Sequence, residues 1–143
     1  MSSVFLSFSF LGLVNAVFLT QEHYLKSTPV FCPTGGCDTV LSSVYSSIAG
    51  VPLALLGTLH YLVLFAIGIL FWRKANDMLL HIIALDTALG AIFSVYLVFI
   101  QLFVIHAICF YCMISAGISF ILLALGLTLL NRCRLTLETV SAD

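Results

Sequence analysis

From 51 to 72 the chain runs 22 residues without an Asp, Glu, Lys or Arg; two further stretches are equally bare, and a fourth holds only Asp86. Crossing ~30 Å of hydrocarbon takes about 20 apolar residues at ~1.5 Å rise each. Cutting the chain at its charge clusters therefore predicts four membrane helices, over about 4–20, 51–72, 78–105 and 107–130. The composition agrees. With 62% hydrophobic and 8% charged residues, against roughly 25% charged in a soluble domain, there is too little polar surface to cover a domain in water. The expected fold is an all-α membrane protein, a four-transmembrane-helix bundle forming one membrane domain over 1–143 and solvated by membrane lipids. A formal net charge of −1 excludes a basic nucleic-acid footprint, and no glycine-rich phosphate loop occurs. The first run has no Lys or Arg before it and no small-x-small cleavage site, so it reads as a retained span and not a signal peptide. The third, 28 residues long, exceeds one perpendicular crossing, and its end near 101–105 is expected to bend through the interface. Residues 131–143 read as a polar tail.

The few basic residues set the orientation. Arg73 and Lys74 lie between spans two and three, and Arg132 and Arg134 follow span four, so both segments are expected on the cytoplasmic side with both termini. The loop 21–50, with Lys26, and the junction at His106 then fall on the opposite side. Four of five cysteines go with them: Cys32, Cys37, Cys109 and Cys112, leaving Cys133 inside. Disulfides persist on extracytoplasmic faces, and four cysteines allow three pairings, among which the sequence does not choose.

Cys109-Phe110-Tyr111-Cys112 is a C-x-x-C at a helix start, where i and i+3 share a face and free N–H groups with the helix dipole stabilise a thiolate on the first cysteine. This suits a dithiol catalyst; the structural alternative is an inert disulfide. Half a zinc site is disfavoured, because the other pair is spaced C-x4-C and lies on an oxidising face. Pro33, Gly35 and Gly36 make Cys32–Cys37 a surface turn. Beyond it Asp38 is expected to cap a short amphipathic helix carrying Val40, Leu41, Val44, Tyr45 and Ile48, lying on the membrane as a lid. A flexible dithiol beside a helix-anchored one is the arrangement of a thiol relay, whose alternative is a loop merely stapled by its disulfide. The corresponding protein would be a non-catalytic four-span scaffold.

Cys37-Asp38-Thr39-Val40-Leu41-Ser42-Ser43, Gly50-Val51-Pro52 before span two and Cys109-Phe110-Tyr111-Cys112 opening span four together resemble the vitamin K epoxide reductase family in its bacterial and plant branch. The resemblance implies a quinone-dependent thiol-disulfide oxidoreductase driving disulfide bond formation. Cys32 would exchange with a separate thioredoxin-fold, DsbA-like donor, Cys37 would pass electrons to Cys109, and Cys112 would face the quinone (ubiquinone, menaquinone, vitamin K or similar), with Ser43 at its pocket. No metal is implied. Animal members carry a tyrosine four residues after the last cysteine, where this chain has Ala116, and an asparagine where it has Ser46. Recycling of vitamin K quinone or epoxide is therefore the second reading. Some relatives carry a fused thioredoxin-like domain; the short tail leads us to expect a separate partner and a bacterial plasma membrane.

Asp86 lies eight residues, ~12 Å, into span three. A lone carboxylate there is costly and suggests function, and His60 lies at similar depth. An Asp86–His60 bond that fixes packing, or a proton path, are the two readings. His106, three residues before Cys109, could lower that thiol's pKa as a cation or simply be solvated. Trp72 and Tyr24 suit the interfacial aromatic belts, and Gly57, Gly68, Gly90, Gly117 and Gly126 suit close helix packing.

Overall fold

A computed structural model describes residues 2–25, 32–33, 35–48, 50–74 and 76–141, with side chains only from 3 and only as far as 133. Lys26 and the side chain of Arg134, used above for orientation, lie outside the described residues. Four helices are long and apolar enough to cross a membrane: α1 (Ser2–Leu25), α3 (Leu53–Arg73), α4 (Asp77–Ile100) and α5 (Phe110–Ser141). Between the first two stand a short α2 (Cys37–Leu41), a 3-10 turn (Val44–Ser46) and a two-stranded antiparallel hairpin, β1 (Ser47–Ile48) with β2 (Val51–Pro52), pairing Ser47 with Pro52 and Ile48 with Val51. Helix α1 packs on α3 and α5, and α4 on α5 and α3.

The bundle is apolar outside as well as inside. Phe10, Leu11, Leu85 and Phe99 are all more than half exposed, a pattern that hydrocarbon solvation explains and water does not. Its interior is a cluster of Phe5, Ala16, Tyr61, Leu64, Ile83, Ile118 and Leu122. Hydroxyls inside it satisfy themselves on their own helices, Ser9 on the Phe5 carbonyl and Thr87 on the Ile83 carbonyl, as hydrocarbon requires. Thr20 and Thr58 join α1 to α3 at 3.1 Å. Among the glycines, Gly68 and Gly126 do pack against neighbouring helices, whereas Gly117 has open space beside it and owes nothing to close packing.

Several boundaries depart from the sequence reading. Span two starts at Leu53 because Gly50, at φ +82°, and Pro52 are taken up by the hairpin. The loop helix is shorter than expected: α2 stops at Leu41, where Ser42 and Ser43 turn their hydroxyls onto the carbonyls of Asp38 and Val40, an alternative to helix continuation that serine offers. Asp38 lies in the first turn and not at the cap, which is Gly36. Val44 and Tyr45 therefore leave the helical face, and Val44 is almost fully exposed. At the other end α5 does not stop near Leu130 but continues to Ser141; no Gly or Pro follows Gly126 to break it.

The bend expected at 101–105 is a π turn, Gln101–Ile105, closed by an Ala107 N–H to Gln101 carbonyl bond of 3.1 Å and ended by His106 in the left-handed region, φ 55°. Residues 107–109 are consequently not helical, and α5 begins at Phe110, three residues later than expected. The end carrying Arg73, Asn76 and Asp77 is also where Cys133 meets Asp77, Sγ to Oδ1 at 3.2 Å. The cysteine-bearing segments gather at the opposite end.

Candidate functional site

That opposite end is built where α2, the π turn and the start of α5 converge. Leu19, Cys37, Val40 and Cys109 form a buried cluster, with Cys32, Leu41, Ile105, Ala107, Tyr111 and Cys112 packed against it. Of the three pairings the sequence allows, the structure holds Cys32–Cys37 as a disulfide, and Cys109 and Cys112 as thiols. Cys37 and Cys109 are both essentially inaccessible. The disulfide loop sits down on the second motif through Gly36: a Cβ there would fall 2.6 Å from the Ile108 carbonyl oxygen and 2.9 Å from its nitrogen. Only a residue without a side chain allows that approach.

Cys109 is the N-cap of α5, its carbonyl accepting the first helical bond from Met113 at 3.1 Å. Its thiol is held down at about 7, first by a hydrogen bond from the Cys112 thiol, against burial, which pushes it up, and then by the N–H groups of Cys112 and Tyr111. These are amides of the kind a helix start leaves outside its own ladder. His106 is exposed and takes no part in this stabilisation, which comes from Cys112 and the two amides. Its solvated reading is the one the geometry supports.

Two side chains that the sequence reading passed over hold this motif in place. Gln101, buried in the π turn, accepts the Cys109 N–H through Oε1 at 3.1 Å, and its side chain also bonds the Cys112 thiol. Asn15 of α1 donates from Nδ2 to the Tyr111 carbonyl at 3.1 Å. The signal was available in both cases: each is a lone amide in a run of apolar residues, where an unpaired polar group is costly.

Below the cysteines opens a cavity of about 650 Å³, overwhelmingly apolar, between α1, α2, α3, α4 and α5. Cys112 lines it, as do Ser43, Ser46 and Ala116. The Ser43 hydroxyl is engaged with the Val40 carbonyl at 2.7 Å, so it offers the cavity an acceptor unless it rotates. His60 lies in the same wall, with Nδ1 3.5 Å from Asp86 Oδ1, joining the two residues that sequence depth suggested as partners. Cys133 is remote, at the Asp77 end. Among the described residues, no three His, Cys, Asp or Glu side chains converge as metal ligands would.

A four-span bundle whose buried cluster at one end seats a cystine loop on a helix-capping thiol pair defines a class of membrane dithiol proteins. The chain matches the Vitamin K epoxide reductase family over residues 3–127. It belongs to that family. Among curated proteins it is similar to "Thiol-disulfide oxidoreductase LTO1" of Arabidopsis thaliana, 30% identical over 125 aligned residues that cover 80% of this chain and 32% of the relative. The chain thus spans about a third of that relative's length.

Proposed function

We propose that this chain is a membrane thiol-disulfide oxidoreductase, one redox domain that moves electrons from a thioredoxin-fold donor to a quinone. The observation that carries the reading is the juxtaposition of two cysteine pairs in one buried cluster above an apolar cavity that Cys112 lines. Cys32, the less buried member of its pair, meets the donor's dithiol, and Cys37 then attacks Cys109 to give a mixed disulfide while Cys112 leaves as the thiolate. Attack of Cys32 on Cys37 resolves that intermediate. It leaves Cys32–Cys37 oxidised and Cys109 with Cys112 reduced, the distribution present in the structure.

The cavity fits an apolar ring, having apolar walls with a few polar groups. A quinone bound there supplies a two-electron, two-proton acceptor. Cys112 would face it, Ser43 and Ser46 would border it, and Gln101 would keep both thiols oriented. A helix-capped thiol at about 7 is a good leaving and attacking group near neutrality. Arg73, Lys74 and Arg132 at the far end favour placing that end in the cytoplasm and the cysteines on the extracytoplasmic face. The presence of Ala116 in the cavity wall, where animal relatives have a tyrosine, favours a quinone acceptor over an epoxide.

The test is stoichiometric. Dithiol-reduced protein in lipid nanodiscs should reduce two equivalents of a soluble quinone, one directly from Cys109 and Cys112 and one relayed from Cys32 and Cys37. Cys112→Ala should abolish that reaction, whereas Cys32→Ala should keep the direct equivalent and lose the relayed one together with turnover with a thioredoxin-fold donor. A reduced wild-type protein inert toward quinone overturns the reading.

A further inference from the structure

Six titratable side chains line the cavity: His23, Tyr45, His60, Tyr61, Tyr96 and Cys112. Among the described residues, His60 is the one of these held against a carboxylate. It stands seven residues into α3, ~10 Å from the cysteine end, and Asp86 stands nine residues, ~13 Å, from the opposite end of α4. Both side chains are about three-quarters buried. Asp86 Oδ2 is fully buried and has no hydrogen-bond partner among the described residues.

A carboxylate and an imidazole are an expensive way to join two membrane helices. Buried ion pairs can often be replaced by apolar residues without loss of stability, and an intramembrane acid needs a reason. The surroundings supply a specific shape as well. A Cβ at position 90 would overlap Nε2 of His60, so the imidazole lies against bare α4 backbone, and Gly90 is itself part of the cavity wall. Nδ1 is turned to Asp86, Nε2 and Cε1 lie against Gly90, and both His60 and Gly90 line the cavity. The adjacent Tyr61, edge-on at 5.4 Å, is poorly placed to donate a proton there. Its hydroxyl proton is committed to the Ser115 carbonyl at 2.9 Å, and the Ser115 and Ser119 hydroxyls crowd the oxygen.

We propose that His60, oriented by Asp86, donates a proton to the oxygen of the quinone held in this cavity. This rests on the acceptor reading above. In the step, Cys109 and Cys112 lose two electrons and two protons as their S–S bond forms. The electron pair leaves through Cys112, and His60 gives one proton to the acceptor. The imidazole then recovers a proton from those the thiols release, and the second reaches the other oxygen, so the balance is dithiol plus quinone to disulfide plus hydroquinone. His60 is a catalytic residue in this scheme, and Asp86 and Gly90 are positioning residues.

The experiment is single-turnover reduction of decyl-ubiquinone by dithiol-reduced full-length protein in nanodiscs, run in H2O and D2O. His60→Gln keeps a hydrogen-bonding side chain but cannot carry the proton. It should slow the maximal rate about 10²-fold, the usual contribution of a general acid, with little change in the half-saturating quinone concentration. Asp86→Asn and Gly90→Ala should give smaller losses of the same kind, and the wild-type solvent isotope effect should change in all three. A second readout uses the unaltered, oxidised protein. Infrared difference spectra on adding decyl-ubiquinone should show a carboxyl or carboxylate band that is absent in Asp86→Asn. Wild-type quinone reduction with an unchanged His60→Gln rate, or no Asp86 band, overturns this proposal alone. Failure of the wild type to reduce quinone overturns the acceptor reading and this proposal together.

Discussion

Replacing Gly36 by alanine should uncouple the two cysteine pairs without touching a sulfur. The added methyl would meet the Ile108 carbonyl oxygen at 2.6 Å, its nitrogen at 2.9 Å and its carbonyl carbon at 3.2 Å. All three are backbone atoms, so no side chain can swing aside. Restoring an ordinary contact of 3.4 Å requires the Cys32–Cys37 loop or the 107–109 segment to retreat by about 0.8 Å, and misplacements near 1 Å can slow a reacting pair by about 10²-fold. Overpacking of this kind also costs about 1–3 kcal/mol. The assay uses a background of Cys32→Ser, Cys112→Ser and Cys133→Ser, in which only Cys37 and Cys109 remain. Their bond formation in a fixed glutathione buffer is followed by alkylation and gel mobility. Gly36→Ala should slow it by one to two orders of magnitude, about 10- to 100-fold. Gly117→Ala, with no atom within 4 Å of the added carbon, is the control, and should leave the rate alone while adding up to ~1 kcal/mol of helix stability. An undiminished rate in Gly36→Ala would refute the idea that close seating of the loop positions the exchange.

Other outcomes follow from the same site. In reduced protein the Cys109 thiolate should accumulate as pH rises through about 7. Cys112→Ala, which removes the largest stabilising bond, should move that midpoint up toward the ordinary thiol value of about 8.5; the change in thiolate ultraviolet absorbance, compared with Cys109→Ser, measures it. Gln101→Leu removes the acceptor of the buried Cys109 N–H and should cost about 1–3 kcal/mol, read as a lower thermal midpoint in detergent. Asn76→Ala deletes the side-chain cap on the Met78 N–H and should cost about 1 kcal/mol while leaving thiol exchange intact.

The spans were legible because hydrocarbon leaves a sequence few choices: the charges at 22, 73–77 and 132 can lie only near the ends of membrane-crossing segments. The partnership of Asp86 with His60 was legible for the same reason, since two costly groups at one depth have each other as a solution. The fine structure at the cysteine end was not. Serine hydroxyls bonding back to α2, the hairpin before α3 and the cap formed by Cys109 are decided by local hydrogen bonds that hydropathy does not register. The disulfide pairing needed coordinates, because 32, 37, 109 and 112 fall on one side under every pairing. Asn15 and Gln101 were visible as anomalies, but their targets are main-chain groups of Tyr111 and Cys109, and a main-chain target leaves no mark in a sequence.

The π turn at Gln101–Ile105 has a further consequence when counted as helical phase. In a regular α-helix, Val104 would follow Ile100 inward; here Val104 is 45% exposed, while Ile105, five residues after the buried Ile100, reaches the cysteine cluster. The turn therefore acts as a one-residue phase shifter, rotating everything beyond it by about 100°. Deleting a single residue between 101 and 105 would hardly shorten the protein. It would turn the chain's approach to Cys109 by more than a quarter of a revolution, so the reach of the second motif toward the first is set by angle as much as by length.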